Sequence, residues 1–219
     1  MMFLKLLGNS RQNQDGQLPD KCRDGILPEI NELLRMSLGR RHRSRCRKIL
    51  VARAERNVDV VAIDIDLSGL KRLKFRNKLT NVVQADARNI PLKESILDAA
   101  FTMEVIDYIT ESDTVLTECG RILKNGCLLV FSFGNTASLK SKFRNLQGKS
   151  YMYSHGEIIK GLHKAGFKLV RKEGFNWLLF NRTSENFLVL ISAKMERLSR
   201  LRKMPSISPW VMVHAVMQK

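Results

Sequence analysis

The sequence lacks a long hydrophobic run, since no apolar stretch approaches the roughly 20 residues that span a bilayer. The opening segment Met1–Leu7 has an apolar core too short for a secretory signal, and no small-residue cleavage site follows it. The four cysteines show no C-x-x-C pair, which argues against a zinc site and favours buried free thiols for Cys119 and Cys127. These absences predict a cytoplasmic globular protein without a disulfide framework.

Acidic residues are scarce relative to basic ones. The chain has 38 Lys and Arg against 21 Asp and Glu, which gives a formal net charge of +17. Such an excess favours anionic partners: nucleic acid, anionic lipid or phosphorylated small molecules. The basic residues cluster at 40–56, 71–78, 140–149 and 194–203. An ordinary solvated basic surface explains the same composition, so the charge predicts polyanion contact without naming the anion.

The first 58 residues lack the regular pattern that follows them. Residues 1–24 are polar and rich in glycine, asparagine and glutamine after a few apolar residues, which predicts a loosely ordered lead-in. Residues 26–36 place apolar side chains at helical spacing, with Pro28 near the first turn. Residues 36–48 have almost no apolar content and cannot form a buried strand. We therefore expect one domain over 25–219 that contains an atypical basic segment.

From Asp59 onward, strands and helices alternate. Apolar runs rich in β-branched residues predict strands at 58–64, 81–86, 97–103, 127–133, 167–170 and 210–217. Helices are predicted at 68–77, at 115–123 and after the capping box formed by Ser154 and Glu157. This alternation is typical of a mostly parallel sheet with helices on both faces.

Three segments carry a recognisable order of motifs. The strand Val60–Asp66 ends in carboxylates, Gln84–Leu92 contains the end of the next strand, and Ser95–Ile109 leads into a helix that ends at Arg121–Gly126. This progression resembles the type 11 group of class I S-adenosylmethionine-dependent methyltransferases, which includes quinone, small-molecule and some RNA methyltransferases. The resemblance covers residues 59–170 and implies an α/β, Rossmann-like fold, with a degenerate first strand in this chain.

The resemblance implies S-adenosylmethionine as the cofactor. Asp64 matches the acid that binds both ribose hydroxyls, and Asp86 matches the acid that contacts the adenine amino group. Ala87 supplies a backbone amide beside the ring, and Thr102 to Glu104 lie where the fourth strand opens beneath the sulfonium and methionine parts. The cofactor-binding residues implied in this way are Asp64, Ile65, Asp86, Ala87, Thr102 and Met103.

Methyl transfer requires little acid–base catalysis from the protein, because the sulfonium is already activated and the protein chiefly aligns the nucleophile. No catalytic residue is therefore assigned. Four residues lie in regions that face the methyl acceptor in this family and are weak candidates for substrate contact: Asp107, Tyr108, Tyr153 and His155. An acid at the end of a strand is also a common loop cap, and Asp98 is interpreted as structural.

The glycine-rich loop of the family is missing. There, a first strand ends in hydrophobic-Asp-x-Gly-x-Gly-x-Gly, because only glycine lets the backbone come close to the cofactor. At the matching distance this sequence has Leu38–Arg43, with Gly39 as its single glycine and a block of arginines. Two interpretations stay open: a divergent family member whose basic segment now serves binding, or an altered reading frame across this segment.

The favoured function is methyl transfer from S-adenosylmethionine to a small-molecule or RNA acceptor. The alternative is a non-catalytic methyltransferase-like module that binds RNA or another polyanion, with an affinity that drops steeply with salt. A third interpretation is attachment to anionic lipid through a basic helix at 194–204, where Met195, Leu198 and Leu201 line one side. The same stripe also fits packing against the domain, which we favour.

Overall fold

The computed structural model describes residues 2–6, 59–76, 81–138, 151–175 and 201–218. Within these ranges the strands are β1 (Met2–Leu6), β2 (Asp59–Asp64), β3 (Asn81–Gln84), β4 (Leu97–Thr102), β5 (Leu123–Gly134), β6 (Phe167–Phe175) and β7 (Trp210–Met217). The α-helices are α1 (Leu67–Arg76), α2 (Ser112–Ile122) and α3 (His155–Lys164). Short 3-10 turns occur at Ile106–Tyr108 and Leu201–Lys203.

The described strands form one sheet in the order β3-β2-β1-β4-β5-β7-β6. β2 pairs with β3 in parallel, as β4 does with β5, whereas β1 and β7 are antiparallel to both of their neighbours. It follows that β2, β3, β4, β5 and β6 run in the same direction. The predicted Rossmann-like, mostly parallel sheet is confirmed, and the carboxyl ends of β2, β3 and β4 share one edge.

Helices cover both faces of the sheet, as predicted. On β2, Val61 and Ile63 point into the main core, which also contains buried residues of α2 and α3. Ala62 points the other way and packs with Leu70 and Leu73 of α1. Successive side chains of a strand alternate between faces, so a strand covered on both sides is apolar throughout. This explains why continuous apolar runs in the sequence predicted these strands.

Helix α3 begins and ends where the sequence predicts. The Ser154 hydroxyl accepts a hydrogen bond from the Glu157 amide at 3.2 Å, and the Glu157 carboxylate accepts one from the Ser154 amide at 2.7 Å. This is the predicted capping box. The chain leaves the helix through Gly166, whose φ of 81° suits glycine best. Strand β5 begins at Leu123, four residues before the predicted start at Cys127.

Strand β1 differs from the sequence expectation, which placed residues 2–6 in a loosely ordered lead-in. It lies between β2 and β4 and is antiparallel to both. Met2 pairs with Ile63 and Thr102 at the carboxyl edge, whereas Leu6 pairs with Asp59 at the opposite edge. β1 therefore ends, at Leu6, on the edge away from the carboxyl ends of β2 and β4. This is the reverse of a first strand that ends in a cofactor loop.

Several predicted segments fall outside the described residues. They are the rest of the lead-in, the helix at 26–36, the basic segment at 36–48, the basic stretches at 40–56 and 140–149, and residues 194–200 of the stretch at 194–203. Among the helices that are described, none is long and apolar enough to cross a membrane.

Cys119 and Cys127 are buried free thiols, as predicted. Burial raises the pKa of Cys119 to about 12, so this thiol stays protonated and packs as a small apolar group. Cys22 and Cys46 lie outside the described residues. Within the described ranges, no three His, Cys, Asp or Glu side chains are grouped as metal ligands.

His214 on β7 makes the stability of the fold sensitive to acid. Its ring is buried, and its Nε2 atom has no hydrogen-bond partner among the described residues. Burial lowers the pKa of His214, Glu173 opposes this shift, and Arg171 adds to it. Because the folded pKa lies below the unfolded value of about 6.5, the unfolded state binds the proton more readily. The stability that is present above the unfolded pKa of about 6.5 is therefore lost as the pH falls through the folded pKa.

We therefore expect the melting temperature to be lower at acidic pH than at neutral pH, and His214→Phe to reduce that difference. Part of the difference in melting temperature should remain in this variant, because burial also lowers the pKa of His155. Thermal melts followed by circular dichroism measure the effect, with His163→Gln on the exposed side of α3 as the control. An unchanged pH dependence in His214→Phe contradicts the role of His214.

Candidate functional site

A cavity of about 450 Å³ opens at the carboxyl edge of the sheet, where β2, β3 and β4 end. Its walls are the residues that follow these strands, the segment before α2, and one residue that precedes α3. It is lined by Ile63, Asp64, Ile65, Ala85, Asp86, Ala87, Arg88, Glu104, Val105, Tyr108, Ile109, Thr110, Glu111 and Tyr151. Ligands of open α/β sheets bind at this edge, so the cavity is the candidate site.

Asp64 ends β2 and lines the cavity. One of its oxygens accepts a hydrogen bond from the Asp66 amide at 2.9 Å, which fixes the direction of the carboxylate. Asp66 has a different role, because its two carboxylate oxygens accept hydrogen bonds from the amides of Ser68 and Gly69 at the start of α1. The helix cap is therefore Asp66, and the carboxylate at the cavity is Asp64. Ile65, beside it, is 69% exposed and lines the same cavity.

Asp86 follows β3, lines the cavity and forms an ion pair with Arg88. The Arg88 Nη2 atom lies 2.6 Å from Asp86 Oδ2, and Nε lies 3.1 Å from both carboxylate oxygens. These hydrogen bonds hold the pKa of Asp86 below its usual range. Arg88 also donates to Glu111 at 3.2 Å across the cavity wall. Sequence reasoning predicted Asp86 and Ala87 at this site but not Arg88.

The end of β4 supplies the third part of the wall. Thr102 is fully buried, its Oγ1 has no hydrogen-bond partner among the described residues, and Met103 packs against a core cluster. Neither lines the cavity, whereas the next residue, Glu104, does. Glu104 has a φ of 60°, a conformation that costs about 1–3 kcal/mol outside glycine. Its amide donates to the Ser132 hydroxyl at 3.0 Å, which supports this backbone.

This combination of sheet and site has counterparts among known proteins. A family model described as "Methyltransferase domain" matches residues 46–131, which include β2, β3, β4 and most of the cavity wall. Residues 46–131 belong to the class I S-adenosylmethionine-dependent methyltransferase family. The family resemblance stated from the sequence is thereby confirmed over this methyltransferase segment.

Individual proteins agree with the family match. A probable S-adenosylmethionine-dependent methyltransferase of Mycobacterium tuberculosis is 28% identical over 76 residues, which make up 35% of this chain and 28% of that protein. The match therefore spans less than a third of the relative.

Among solved structures, a methyltransferase candidate from Bacillus halodurans has a TM-score of 0.59 at 15% identity, covering 88% of this chain and 100% of that one. An S-adenosylmethionine-dependent methyltransferase from Mesorhizobium loti has a TM-score of 0.53 at 15% identity, with coverages of 71% and 79%. At these identities the structures show the shared fold.

Of the four residues proposed to face a methyl acceptor, Tyr108 lines the cavity of the methyltransferase segment, and its side chain is 65% exposed. Asp107 is buried instead. Its Oδ1 accepts the Gly134 amide at 2.6 Å, and its carbonyl accepts the Tyr151 amide at 2.7 Å. Asp107 thus ties the end of β5 to the segment before α3. Tyr151, which sequence reasoning missed, lines the cavity as a result of this connection.

Tyr153 and His155 also lie outside the cavity lining. The Tyr153 hydroxyl donates to the Ile109 carbonyl, and its amide donates to the Gly134 carbonyl at 2.9 Å. His155 Nε2 bonds to the Pro205 carbonyl at 3.1 Å, and its ring packs edge-on against Phe133 at 5.5 Å. Both side chains hold the segments around the cavity in place.

Arg121 on α2 fixes the loop that carries Asp86 and Ala87. Its guanidinium donates to the carbonyls of Ile90 and Leu92 at 2.8 and 2.7 Å and pairs with Glu118 at 2.7 Å. Glu118 in turn accepts the Ile90 amide at 2.9 Å. The sequence showed Arg121 only as a basic residue at a helix end. It is a positioning residue for the loop over 85–92.

We expect Arg121→Met to lower the free energy of unfolding by about 1–3 kcal/mol, because two loop carbonyls lose their donor and Glu118 loses its ion pair. Amide exchange in residues 85–92 should accelerate more than exchange in β5. Lys164→Met is the control, since its exposed ion pair with Asp113 at 3.7 Å contributes little. Equal exchange rates in wild type and Arg121→Met contradict the positioning role.

Proposed function

We propose that this protein transfers a methyl group from S-adenosylmethionine to a small-molecule or RNA acceptor. One observation carries the proposal: Asp64, Ala87 and Glu104 line the same cavity at the carboxyl edge. These groups come from the ends of three different strands. Their chemistry fits a cofactor with two ribose hydroxyls, a purine ring and a cationic sulfonium.

Asp64 suits the ribose because a carboxylate accepts up to about four hydrogen bonds and two vicinal hydroxyls need two acceptors. The Ala87 amide has no hydrogen-bond partner among the described residues, so it can donate to a ring nitrogen. Glu104 adds negative charge to the same wall, in which Glu111 and Asp86 pair with Arg88. A cation is stabilised there, although the chain as a whole is strongly basic.

S-adenosylmethionine, when bound, supplies an activated methyl group, and the chain has to exclude water and orient the acceptor. Tyr108 and Tyr151 stand at the cavity with exposed rings. An aromatic ring offers an apolar face to a ligand and a hydroxyl to its polar groups. We therefore propose that these two tyrosines orient the acceptor, in place of the buried Asp107, Tyr153 and His155.

Calorimetric titration with S-adenosylmethionine and S-adenosylhomocysteine tests the proposal. Both should bind at micromolar strength, and added salt should change their affinities little, because recognition rests on fixed hydrogen bonds. ATP is the control ligand, since binding of a polyanion to a basic surface weakens steeply with salt.

A folded protein that binds neither adenosyl ligand overturns the proposal. If that protein instead binds RNA with a steep salt dependence, the non-catalytic polyanion-binding module takes its place.

A further inference from the structure

Helix α1 presents a basic surface beside the candidate site. Its ten residues, Leu67–Arg76, contain four Lys and Arg and no acidic residue. The side chains of Lys71, Arg72 and Lys74 are exposed. Arg72 lies 3.6 Å from Asp66 in an exposed ion pair, which contributes little. The surface of α1 therefore carries positive charge that no acid of the helix itself neutralises.

Phe75 lies within this positive surface. It is 86% exposed, more than any other large hydrophobic residue in the described part of the chain. Residues three and four positions apart on a helix are neighbours, so Phe75 lies beside Arg72 and Lys71. Scattered exposed apolar residues are common on protein surfaces. This one differs because its ring offers a face for stacking next to cations that attract an anion.

The apolar side of α1 is already covered by the protein. Leu70 and Leu73 are buried and pack with Ala62 of β2. A helix that lies in a membrane interface needs an apolar face directed at the lipid. The exposed side of α1 has two large apolar residues, Leu67 and Phe75, which are about 12 Å apart along the helix axis. This arrangement favours a polyanion over a lipid surface.

A single strand of RNA has both properties that this surface can bind. Its phosphates are anionic, and its unpaired bases are available for stacking. Proteins that bind single strands combine cations along the backbone with aromatic rings under the bases. In α1, Lys71, Lys74 and Phe75 provide both kinds of group within about one helical turn. The bases of a duplex stack on each other, so a duplex offers this ring no base.

The exposed surface of α1 begins at the cavity. Ile65 lines the cavity and is 69% exposed, and Leu67, the first residue of α1, is 43% exposed. Because β2 and β3 are parallel, α1 runs from the carboxyl edge of the sheet back toward the opposite edge. A strand that lies on Phe75 and continues past Leu67 therefore reaches the cavity.

We propose that α1 binds single-stranded RNA, with Lys71 and Lys74 on phosphates and Phe75 stacked on one base. The strand then passes Leu67 and Ile65 and brings a nearby nucleotide to the cavity. This selects RNA from the two classes of acceptor in the proposed function, and the selection rests on that function. The binding of the strand rests on α1 alone.

Fluorescence anisotropy with a short labelled oligouridylate tests this surface, using the full chain at several salt concentrations. Phe75→Ala should weaken binding at least about fivefold at every salt concentration, because stacking releases no counterions. Phe75→Tyr keeps a ring and should bind within about twofold of the wild-type protein. Lys71→Ala should also reduce the slope of log affinity against log salt by about 0.7, the value for one lost phosphate contact.

Lys168→Ala and Val170→Ala are the matched controls. Both residues are exposed on β6, which is the edge strand farthest from β3 in the sheet. Their variants should keep the wild-type affinity and the wild-type salt dependence. Circular dichroism should show that Phe75→Ala is folded, because truncation of an exposed residue changes stability little.

The proposal is overturned if the wild-type protein does not bind oligouridylate, or if Phe75→Ala binds it within about twofold of wild type. Equal losses in Lys71→Ala and Lys168→Ala also overturn it, because they indicate diffuse attraction to the net charge. Phosphatidylglycerol vesicles test the lipid alternative. If Phe75→Ala abolishes co-sedimentation with vesicles but leaves oligouridylate binding intact, α1 is a membrane-binding surface.

Failure of the proposed function gives a different result. In that case S-adenosylhomocysteine does not bind the wild-type protein, whereas oligouridylate binds and Phe75→Ala weakens it. The RNA-binding surface then stands without a role in methyl transfer. Binding of S-adenosylhomocysteine together with oligouridylate binding that is insensitive to Phe75→Ala overturns the α1 inference alone.

Discussion

The Asp64→Ala variant is expected to bind S-adenosylhomocysteine at least about 100-fold more weakly than the wild-type protein. Asp64 ends β2 and lines the cavity. In the proposed function its carboxylate accepts hydrogen bonds from the two ribose hydroxyls. Each hydrogen bond to a charged group contributes about 1.5–3 kcal/mol. Two such bonds lost together exceed the roughly 2.7 kcal/mol that correspond to a 100-fold change. Calorimetry with the purified variant measures the loss.

Asp113→Ala is the control for Asp64→Ala. Asp113 lies exposed near the start of α2, away from the cavity lining. The Asp64 variant also loses the hydrogen bond from the Asp66 amide, so circular dichroism must show that it is folded. A folded Asp64→Ala protein that binds within threefold of wild type excludes Asp64 as the ribose acid.

The Phe131→Ala variant is expected to lose about 3–5 kcal/mol of unfolding free energy. Phe131 is fully buried in the middle of β5, where it pairs with Thr102 of β4 and Val213 of β7. Its ring belongs to the main core that α2 and α3 cover. Its removal both forfeits apolar burial and leaves a cavity that a sheet paired on both sides cannot collapse to fill. Urea denaturation at equilibrium gives the difference directly.

Phe75→Ala provides the comparison for the core. Phe75 is on α1 with 86% of its surface exposed, so its truncation should change stability by less than about 0.5 kcal/mol. Similar losses in the two phenylalanine variants contradict the placement of Phe131 at the centre of the core.

The sequence predicted the central strands β2, β4, β5 and β7 because burial on both faces leaves little choice of side chain along such a strand. The edge strands β3 and β6 are partly exposed. The run from Val60 to Ile63 is the clearest case, since Ala62 faces α1 while its neighbours face α2 and α3. The start of α3 was equally visible, because a capping box is a contact between residues three apart. Both signals are local.

The candidate site was only partly predictable. Asp64, Ile65, Asp86, Ala87 and Tyr108 line the cavity, and each was found through the order of motifs along the chain. Glu104, which was expected at the end of the fourth predicted strand, also lines the cavity, whereas no short pattern marks Tyr151. Tyr151 is brought there by the Asp107 carbonyl, a contact across 44 residues. Such contacts leave no periodic trace in the sequence.

The tertiary structure decided the direction of strand β1 and the ion pairs of the carboxylates. Residues 2–6 carry an apolar pattern that fits either direction in a sheet, and the order of the sheet places them antiparallel between β2 and β4. Asp86 was recognisable as an acid at a strand end, but the fold also brings its neighbour Arg88 within 3.2 Å of Glu111, which is 23 residues further along the chain. The sequence by itself determined which segments are strands and which strand ends carry carboxylates, because burial and hydrogen bonding act on each residue locally. The tertiary structure decided how those carboxylates are occupied, since an ion pair depends on the distance between side chains in space.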